Sequence, residues 1–361
     1  TDDETFSSSN LLNNSSTENN HTIKHLKKMI NINKTLDDLE KIKDSKVLVI
    51  GETIIDEYVF CEAIGKSGKE PVLVMHDKYC ERYLGGIGAV ANHIGSFCKN
   101  VSLLSFLGDK DDEKKFIKKS LQKHIKTIFL KKEKSPTIVK RRYLDEVNQN
   151  KVLGVYKIND SNLSKKNEDQ FLSKLKKIIN NFDVVVLTDY GHGMITSKIA
   201  KFLCKESKYL AINSQINASN IGYQNLHKYN NFDFLILNEG EIRHDARDRV
   251  TSKEKLAKKL ISKLRVKKAI VTSGKDGAIM VSNNSKNKDI TCPAYAGEIV
   301  DKIGAGDAML SIASLTDSAR IDDASTLLLS SLAAAQTVEV VGNKEYVSNL
   351  KLKKAFYYLL K

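Results

Sequence analysis

The sequence has no apolar run of membrane-spanning length, and its N-terminus lacks the hydrophobic segment of a signal peptide. Its five cysteines are scattered along the chain and include no C-x-x-C pair. Such cysteines are typical of buried thiols in a reducing cytoplasm, and they argue against a disulfide framework or a zinc site. We therefore expect a cytoplasmic protein that does not enter the membrane.

Arginine is also scarce, although the chain carries a formal net charge of +14. Eight of the 58 basic residues are arginine, and the lysines are spread over the whole length. Proteins that bind nucleic acids more often gather arginine and aromatic residues in one patch. We interpret the charge as a compositional bias that helps to attract anionic substrates, and nucleic-acid binding is not favoured.

Short apolar runs alternate with charged helical stretches from residue 46 onward. The helical stretches include 111–123, 163–180 and 252–264. This alternation predicts an α/β fold with a mostly parallel sheet that is covered by helices on both faces. The predicted strands are Val47–Ile50, Val101–Leu107, Val184–Leu187, Tyr209–Ile212, Phe234–Leu237, Ala269–Val271 and Ala278–Val281.

Two regions break this rhythm, and two further segments precede it. Residues 58–84 and 136–156 alternate apolar and polar side chains, which predicts antiparallel strands of a small β flap, or lid, beside the main sheet. Such a flap can close over a substrate, and it offers a surface for a homodimer. Residues 1–21 have the polar composition of a flexible segment, and residues 22–44 predict one or two short amphipathic helices.

The run from Asp301 to Ala308 reads D-K-I-G-A-G-D-A and precedes an apolar helical pattern. Glycine and alanine leave the backbone N–H groups bare, and a helix N-terminus at this point would favour a phosphate. Asp307 does not help to bind phosphate, but it suits a general base that takes a proton from a hydroxyl during phosphoryl transfer. A plain glycine-rich turn with an aspartate cap explains the spacing equally well.

Other polar motifs follow predicted strands or open a helix. Asp56 comes after the first strand, where a carboxylate can accept hydrogen bonds from sugar hydroxyls or simply cap a turn. Gly85 and Gly86 allow a polyol or phosphate to approach the backbone, although tight helix packing explains them as well. His192, which follows Asp189, can bind a phosphate or be an ordinary loop histidine.

Two more motifs follow later strands. The oxygens of Asn238 and Glu241 suit a hydrated Mg²⁺ beside a nucleotide, and the ordinary alternative is a helix start with acids in its first turn. Thr272, Gly274 and Gly277 form a turn after the next strand, which can line a nucleotide or be only a hairpin.

In this order, the motifs resemble those of the ribokinase/PfkB family of carbohydrate kinases over residues 45–361. The resemblance implies a ribokinase-like fold, ATP as the phosphoryl donor and Mg²⁺ as the cofactor. It makes Asp307 the catalytic base and Asn238 and Glu241 the residues that organise Mg²⁺ and the phosphates. The other residues it assigns are Gly304, Ala305 and Gly306 in the anion hole, Asp56, Gly85 and Gly86 at the sugar, and Thr272, Gly274 and Gly277 at the nucleotide.

Within the family, the sequence is most similar to the kinase half of bifunctional heptose-phosphate kinase/nucleotidyltransferase proteins. This similarity implies a heptose 7-phosphate as substrate and includes Asp189 among the substrate-binding residues. The segment Thr5–Leu11 resembles the end of a nucleotidyltransferase domain. We therefore expect residues 1–44 to be a tail and linker that follow such a domain, and residues 45–361 to be the kinase.

Some positions depart from the family pattern. Lys302 replaces a threonine near the phosphates, and Ala89 stands where an asparagine binds the sugar. Asn92, about one turn further along the same helix face, is expected to substitute for that asparagine. His192 replaces a lysine, and Asn213 lies where the heptose kinases carry an aspartate. Because most departures concern the sugar, the sequence predicts the reaction better than the substrate.

We therefore predict ATP-dependent phosphoryl transfer to a hydroxyl of a sugar or sugar phosphate. Lys140 and Arg142 on the flap are expected to pair with a substrate phosphate, since alternation along a strand lets only some neighbouring side chains face inward. The alternatives are a kinase for another sugar or a nucleoside, a catalytically silent ribokinase-like binding subunit, and a basic nucleic-acid binder.

Overall fold

The computed structural model of the protein describes residues 17–110, 113–284, 287–297 and 299–361. Its strands form a large sheet and a small sheet. The strands are β1 (Lys46–Gly51), β2 (Thr53–Lys66), β3 (Leu73–Gly86), β4 (Asn100–Gly108), β5 (Lys126–Lys132), β6 (Ile138–Asp145), β7 (Lys151–Lys157), β8 (Val184–Asp189), β9 (Leu210–Ser214), β10 (Phe234–Asn238), β11 (Lys268–Thr272), β12 (Ala278–Ser282) and β13 (Ile290–Cys292).

Several helices begin at a polar cap. Side-chain oxygens of Ser164, Thr196 and Ser252 each accept a hydrogen bond from the backbone N–H three residues later. No helix within the described ranges is long and apolar enough to cross a membrane. The helices are α1 (Thr17–Met29), α2 (Ile32–Lys41), α3 (Ile87–Gly95), α4 (Lys114–Ser120), α5 (Lys165–Ile178), α6 (Ser197–Glu206), α7 (Glu239–Ala246), α8 (Lys253–Leu264), α9 (Ala305–Ser318), α10 (Asp323–Val338) and α11 (Asn349–Leu360).

The large sheet has the strand order β13-β12-β11-β10-β9-β8-β1-β4-β5. Neighbours from β11 to β5 are parallel, and β12 and β13 are antiparallel additions at one edge. The predicted strands and their mostly parallel arrangement are confirmed. The edge strands β5 and β13 were not predicted, because their residues do not form the continuous apolar runs of the inner strands.

Both faces of the large sheet are covered. Val47, Leu48, Val49 and Ile50 of the central strand β1 are all 0% exposed. Alternation along the strand sends Val47 and Val49 into the apolar cluster that includes α3, α9, α10 and α11. Leu48 and Ile50 enter a second cluster, with α5, α6 and α8, on the other face. Fully burying each such side chain is worth about 1.5–3 kcal/mol, so these two layers hold the sheet in place.

The small sheet corresponds to the predicted flap and has the order β3-β2-β6-β7. The pairs β2–β3 and β6–β7 are antiparallel, as expected. The two hairpins join through a parallel pairing of β2 with β6, in which Asp56 lies opposite Lys140. The sequence did not predict this parallel pair. Alternation of apolar and polar residues shows which side chains share a face of a strand, but it does not show the direction of the neighbouring strand.

The N-terminal part of the described chain belongs to the core. The predicted helices of residues 22–44 are present as α1 and α2. We expected residues 1–44 to be a tail and linker, but Leu26, Leu39 and Ile42 are buried in the same cluster as Val47. Helices α1 and α2 therefore contribute apolar side chains to the layer that covers the sheet. Residues 1–16 lie outside the described ranges.

Candidate active site

A cavity of about 980 Å³ lies between the carboxyl ends of the central parallel strands and the small sheet. Polar residues at the ends of β9, β10 and β11 line it, as expected for ligand sites of open α/β sheets. The loop before α9 closes it from a third side. The predicted site residues that line it are Asp56, Gly86, Lys140, Arg142, Asn238, Glu241, Thr272, Gly274, Gly277, Gly304, Ala305, Gly306 and Asp307.

Helix α9 begins at the predicted glycine-rich loop. Gly304 is its N-cap, with φ of +90°, a conformation that favours glycine. A Cβ at Gly304 would also overlap Oδ1 of Asn343. Within the described part of the chain, no side chain caps this helix start. The first amides of α9 have no partner inside the helix, so they present a positive helix end to the cavity.

Asp307 lies in the first turn of α9 and is buried. Its Oδ1 accepts hydrogen bonds from the Tyr190 hydroxyl at 2.9 Å and from Gln215 Nε2 at 3.2 Å. Its Oδ2 accepts no hydrogen bond from the residues that the structure describes. Burial raises the pKa of Asp307 to about 7, although the hydrogen bond from Tyr190 acts in the opposite direction.

A second buried carboxylate, Glu52, fixes the loop that carries Tyr190. Its Oε2 accepts from the backbone N–H of Tyr190 at 3.1 Å, and its Oε1 accepts from that of His192 at 3.2 Å. Burial raises the pKa of Glu52 to about 7, and the nearby charge of Asp189 adds to this effect. Glu52 thus positions the backbone of Tyr190, and the Tyr190 hydroxyl in turn positions the carboxylate of Asp307.

Asn238 and Glu241 form a capping box at the start of α7. The Asn238 side chain accepts from the Glu241 N–H, and Glu241 Oε2 accepts from the Asn238 N–H, both at 2.8 Å. Glu241 Oε1 accepts from the N–H of Ile216 at 3.3 Å. Burial raises the pKa of Glu241 to about 7. Both residues also line the cavity. The two interpretations are therefore compatible, because the same residues cap a helix and face the space where a ligand would bind.

The predicted nucleotide-lining turn also reaches the cavity. Thr272 ends β11, and Gly277 has φ of +76° and lies against the backbone of Cys292, where a Cβ would overlap the carbonyl oxygen. The turn continues into an apolar surface formed by Ala278 and by Pro293–Tyr295. This end of the cavity offers flat apolar contacts, and Lys275 of the same turn is the charged residue beside them.

On the small sheet, Asp56 faces the cavity from the interior of β2. Its Oδ1 accepts from Arg142 Nη1 at 2.6 Å, and its Oδ2 accepts from Asn343 Nδ2 at 3.4 Å. Gly85 is required beside it, because a Cβ there would overlap Oδ2 of Asp56. We expected Asp56 at the end of the first strand, but that strand ends at Gly51 and Asp56 lies four residues into the next one.

Lys140 is a buried cation that forms no ion pair with any described residue. It is 8% exposed, and its Nζ lies 5.7 Å and 5.9 Å from the ring centroids of Tyr156 and Tyr190. Burial lowers its pKa. Arg142, two residues further on, also lines the cavity, whereas Arg141 faces outward and pairs with Glu57 at 2.8 Å. The expected alternation of these cations is present.

Three predicted substrate-binding residues are not among those that line the cavity: Gly85, which lies beside Asp56, and also Asn92 and Asp189. Asn92 donates to the Ser120 carbonyl at 2.9 Å and accepts from the Gln122 N–H at 3.0 Å, so it ties α3 to the segment after α4. Asp189 is 1% exposed, and its Oδ2 lies 2.6 Å from both Tyr229 Oη and Lys228 Nζ. The side chains of Asn92 and Asp189 are thus engaged in contacts that hold the fold.

His192 is also turned away from the large cavity. Its Nδ1 lies 2.6 Å from Asp160 Oδ1, and its Nε2 is buried without a partner among the described residues. It borders a separate space of about 20 Å³ together with Glu52 and Lys132. Of the two readings of His192, the ordinary loop histidine agrees with this position outside the large cavity. Of the other departures from the family pattern, Asn213 and Lys302 line the large cavity, and Ala89 is not among its lining residues.

Sequence reasoning missed Gln215 and Asn343 as site residues. Gln215 directly follows β9, so the rule that ligands bind beyond strand ends could have indicated it. Asn343 lies in the connection between α10 and α11, next to Gly342, and reaches Asp56 across the fold. Its position carries no local signal, because it becomes part of the site only when distant segments meet.

A family model described as pfkB family carbohydrate kinase matches residues 44–348 of the chain. The Bifunctional protein HldE of Campylobacter fetus is 26% identical over 317 residues, which cover 86% of this chain and 67% of that protein. The protein of the same name from Campylobacter jejuni is 27% identical over 302 residues, which cover 82% of this chain and 62% of that protein. The chain thus spans about two thirds of the length of these relatives.

Solved structures with a similar fold are carbohydrate kinases. Phosphofructokinase-2 from Escherichia coli, in complex with potassium, superposes with a TM-score of 0.69 at 14% identity, over 88% of this chain and 100% of that one. Ribokinase from Thermotoga maritima gives a TM-score of 0.65 at 19% identity, over 87% of this chain and 99% of that one. At these identities the likeness concerns the fold alone, and it confirms the predicted ribokinase-like architecture.

Proposed function

This chain belongs to the pfkB family of carbohydrate kinases, and on that basis we propose that it transfers the γ-phosphoryl group of ATP to a hydroxyl of a sugar phosphate. Heptose 7-phosphate is the first substrate to test, given the likeness to the HldE proteins. The observation that carries the proposal is the cavity itself, which has Asp307 at a helix start and, on the small sheet, Lys140, a cation without an ion-pair partner among the described residues.

Asp307 acts as the general base. The hydroxyl oxygen of the sugar forms a bond to the γ-phosphorus while the bond from that phosphorus to the bridging oxygen of ADP breaks, and the hydroxyl proton passes to Asp307. Because Oδ1 already accepts from Tyr190 and Gln215, Oδ2 is the oxygen that takes the proton. A pKa of about 7 suits a base that works near neutral pH.

The start of α9 stabilises the charge of the transferred group. The amides of Gly304, Ala305 and Gly306 serve as the anion hole, and the helix end adds a partial positive charge. The proposal is supported by the lack of a side-chain cap at this helix start within the described residues.

Asn238 and Glu241 would hold the hydrated Mg²⁺ that accompanies ATP. The described residues contain no cluster of three or more His, Cys, Asp or Glu side chains that could cage a metal. Both residues line the cavity and carry side-chain oxygens, the ligand type that suits an ion which keeps most of its waters and binds the nucleotide phosphates. When bound, Mg²⁺ would neutralise charge on the transferring phosphoryl group.

The nucleoside of ATP occupies the apolar end, against Thr272, Gly274 and Gly277. The sugar phosphate occupies the small-sheet end, where Asp56 accepts hydrogen bonds from its hydroxyls and Gly86 gives it access to the backbone. Lys140 and Arg142 bind its phosphate. The proposal is supported by the cost of burying an ammonium group without a partner, which an anionic substrate would offset.

The experiment is ATP turnover by the purified chain with a panel of heptose, hexose and pentose phosphates, unphosphorylated sugars and nucleosides. We expect turnover with sugar phosphates and little with unphosphorylated acceptors, because only the former engage Lys140. Preference for a nucleoside or a free sugar would support the alternative kinase, and it would contradict the assignment of Lys140. Binding of ATP without turnover on any acceptor would support a silent binding subunit.

We also propose that the outer face of the small sheet binds a second copy of the chain. Exposed apolar side chains on this sheet support the proposal; they include Ile64, Leu73, Val152, Leu153 and Val155. Burying them removes apolar surface from water. Sedimentation velocity should give a dimer for the unaltered chain and a monomer for Leu153→Lys, and a monomer in both cases would contradict the proposal.

A further inference from the structure

Helix α1 lies outside the residues that match the family model, yet it reaches the cavity. The match begins at residue 44, whereas α1 spans Thr17–Met29. Of the described residues that precede the match, Ile23 alone lines the cavity. The presence of Ile23 at the cavity is therefore a feature of this chain that lies outside the matched domain.

One face of α1 is apolar and buried. Ile23, Leu26 and Ile30 are buried, and Lys24 and Lys27 between them are exposed. Spacings of three and four residues place the buried side chains on one helix face. This face belongs to the same apolar cluster as β13, which fixes the helix at the edge of the large sheet.

The end of the cavity beside β13 is apolar. Pro293, Ala294 and Tyr295 directly follow β13 and line the cavity, as does Ala278 at the start of β12. The carboxylates and the flap cations that line it lie elsewhere, on the small sheet, at α7 and at α9. A heteroaromatic ring is recognised by apolar walls, whereas phosphates require charge and amides.

We propose that Ile23 forms part of the wall that contacts the adenine base of ATP, so that α1 helps to determine nucleotide affinity. This inference rests on the proposed function, since it takes ATP to be the ligand of this cavity. An aliphatic contact of this kind in an apolar pocket is worth about tenfold in binding.

The first test is calorimetric titration of the full chain with ATP in the absence of sugar. We expect Ile23→Ala to raise the Kd of ATP about tenfold. Leu26→Ala is the matched control, because Leu26 is buried on the same helix face and does not line the cavity. It should lower the melting temperature to a similar extent and leave the Kd unchanged. Equal Kd values for all three proteins, or equal weakening by both substitutions, would overturn the inference.

A second test uses the absence of tryptophan from the sequence. Ile23→Trp introduces a single fluorescent reporter at the proposed wall, and Met29→Trp introduces one at the exposed end of the same helix. ATP should change the emission of the first variant, or fail to bind it because the larger ring fills the space, and it should leave the emission of the second unchanged. Unchanged emission of Ile23→Trp, with ATP affinity equal to that of the unaltered chain, would overturn the inference.

These outcomes separate the inference from the proposed function. If the unaltered chain does not bind ATP, the proposed function is wrong and the inference fails with it. If the unaltered chain binds ATP and phosphorylates a sugar phosphate, while the Ile23 variants bind ATP equally well, the inference alone is wrong.

Discussion

At the start of α9 the cavity is lined by main-chain groups, whereas at the small sheet it is lined by charged side chains. Gly304–Gly306 offer backbone amides, and the nearby capping box of Asn238 and Glu241 is held by backbone hydrogen bonds. The other wall depends on Lys140 and on Arg142, which pairs with Asp56. We call the part of the cavity at Gly304–Gly306 the phosphoryl end and the part at the small sheet the sugar end. Activity should therefore be sensitive to an added Cβ at the phosphoryl end and to a lost charge at the sugar end.

Apart from loss of the base itself, the largest expected effect comes from a methyl group at the phosphoryl end. Outside its own helix turn, a Cβ at Gly306 meets no atom of the described residues within 4 Å, so Gly306→Ala should preserve or slightly raise the melting temperature. That methyl group would enter the space of the phosphoryl group, and we expect kcat to fall about 10²-fold. The measurements are kcat and thermal unfolding of the same preparation.

Gly304→Ala is the contrasting variant. Its methyl group would overlap Asn343, and its positive φ would strain an alanine by about 1–2 kcal/mol. Both activity and melting temperature should therefore fall. Full activity of Gly306→Ala would mean that the phosphoryl group does not pass beside these amides.

At the sugar end, Lys140→Met removes a charge and keeps much of the side-chain volume. We expect kcat/KM for the sugar phosphate to fall at least about 30-fold, as for the loss of one partner from a buried charge pair, with the KM of ATP unchanged. The free protein should become more stable, because an unpaired buried ammonium is lost. Steady-state kinetics with each substrate varied in turn will test this.

The control is Arg141→Met, which lies one residue away on the outward face and breaks an ion pair with Glu57. Arg141 is about half exposed, and Glu57 keeps its ion pair with Arg82 at 3.0 Å, so the substitution should cost little stability. Arg141→Met should therefore leave both KM values unchanged. A similar loss in both variants would indicate a general electrostatic effect rather than a phosphate contact.

A smaller effect is expected when Tyr190 is changed. The Tyr190 hydroxyl donates to Asp307 and lowers its pKa, so Tyr190→Phe should raise that pKa. The rising limb of kcat/KM against pH should then move to higher pH by up to about one unit. Tyr209→Phe is the control, since Tyr209 donates to Asp317 outside the cavity. A profile that does not move would mean that Tyr190 does not position the base.

The smallest expected effect is on stability. Burial raises the pKa of Asp307 from 3.8 to about 7, so the folded state favours the protonated acid and loses stability as the pH rises from about 4 to 7. Asp307→Asn removes this loss. Its melting temperature should exceed that of the unaltered chain by a few degrees at pH 8 and match it at pH 4. Equal melting temperatures at pH 8 would show that Asp307 carries no burial penalty.

The two ends of the cavity also differ in how far the sequence predicted them. The glycine-rich loop and the capping box are short, continuous patterns whose local geometry follows from their residues, and both were located correctly. Asn92 was misplaced because spacing tells which residues share a helix face and not which face meets the cavity. Asp189 is a related case. It ends β8 at the edge of the sheet where the cavity lies, but the sequence does not tell which way its side chain points, and that side chain pairs with Lys228.

The measurement that tests the account most directly is turnover of Asp307→Asn, made beside a titration with ATP. If Asp307 is the base, the variant should be folded and bind ATP with the affinity of the unaltered chain. Its kcat with the preferred sugar phosphate should fall about 10²–10⁴-fold. Turnover close to that of the unaltered chain would contradict the proposed mechanism.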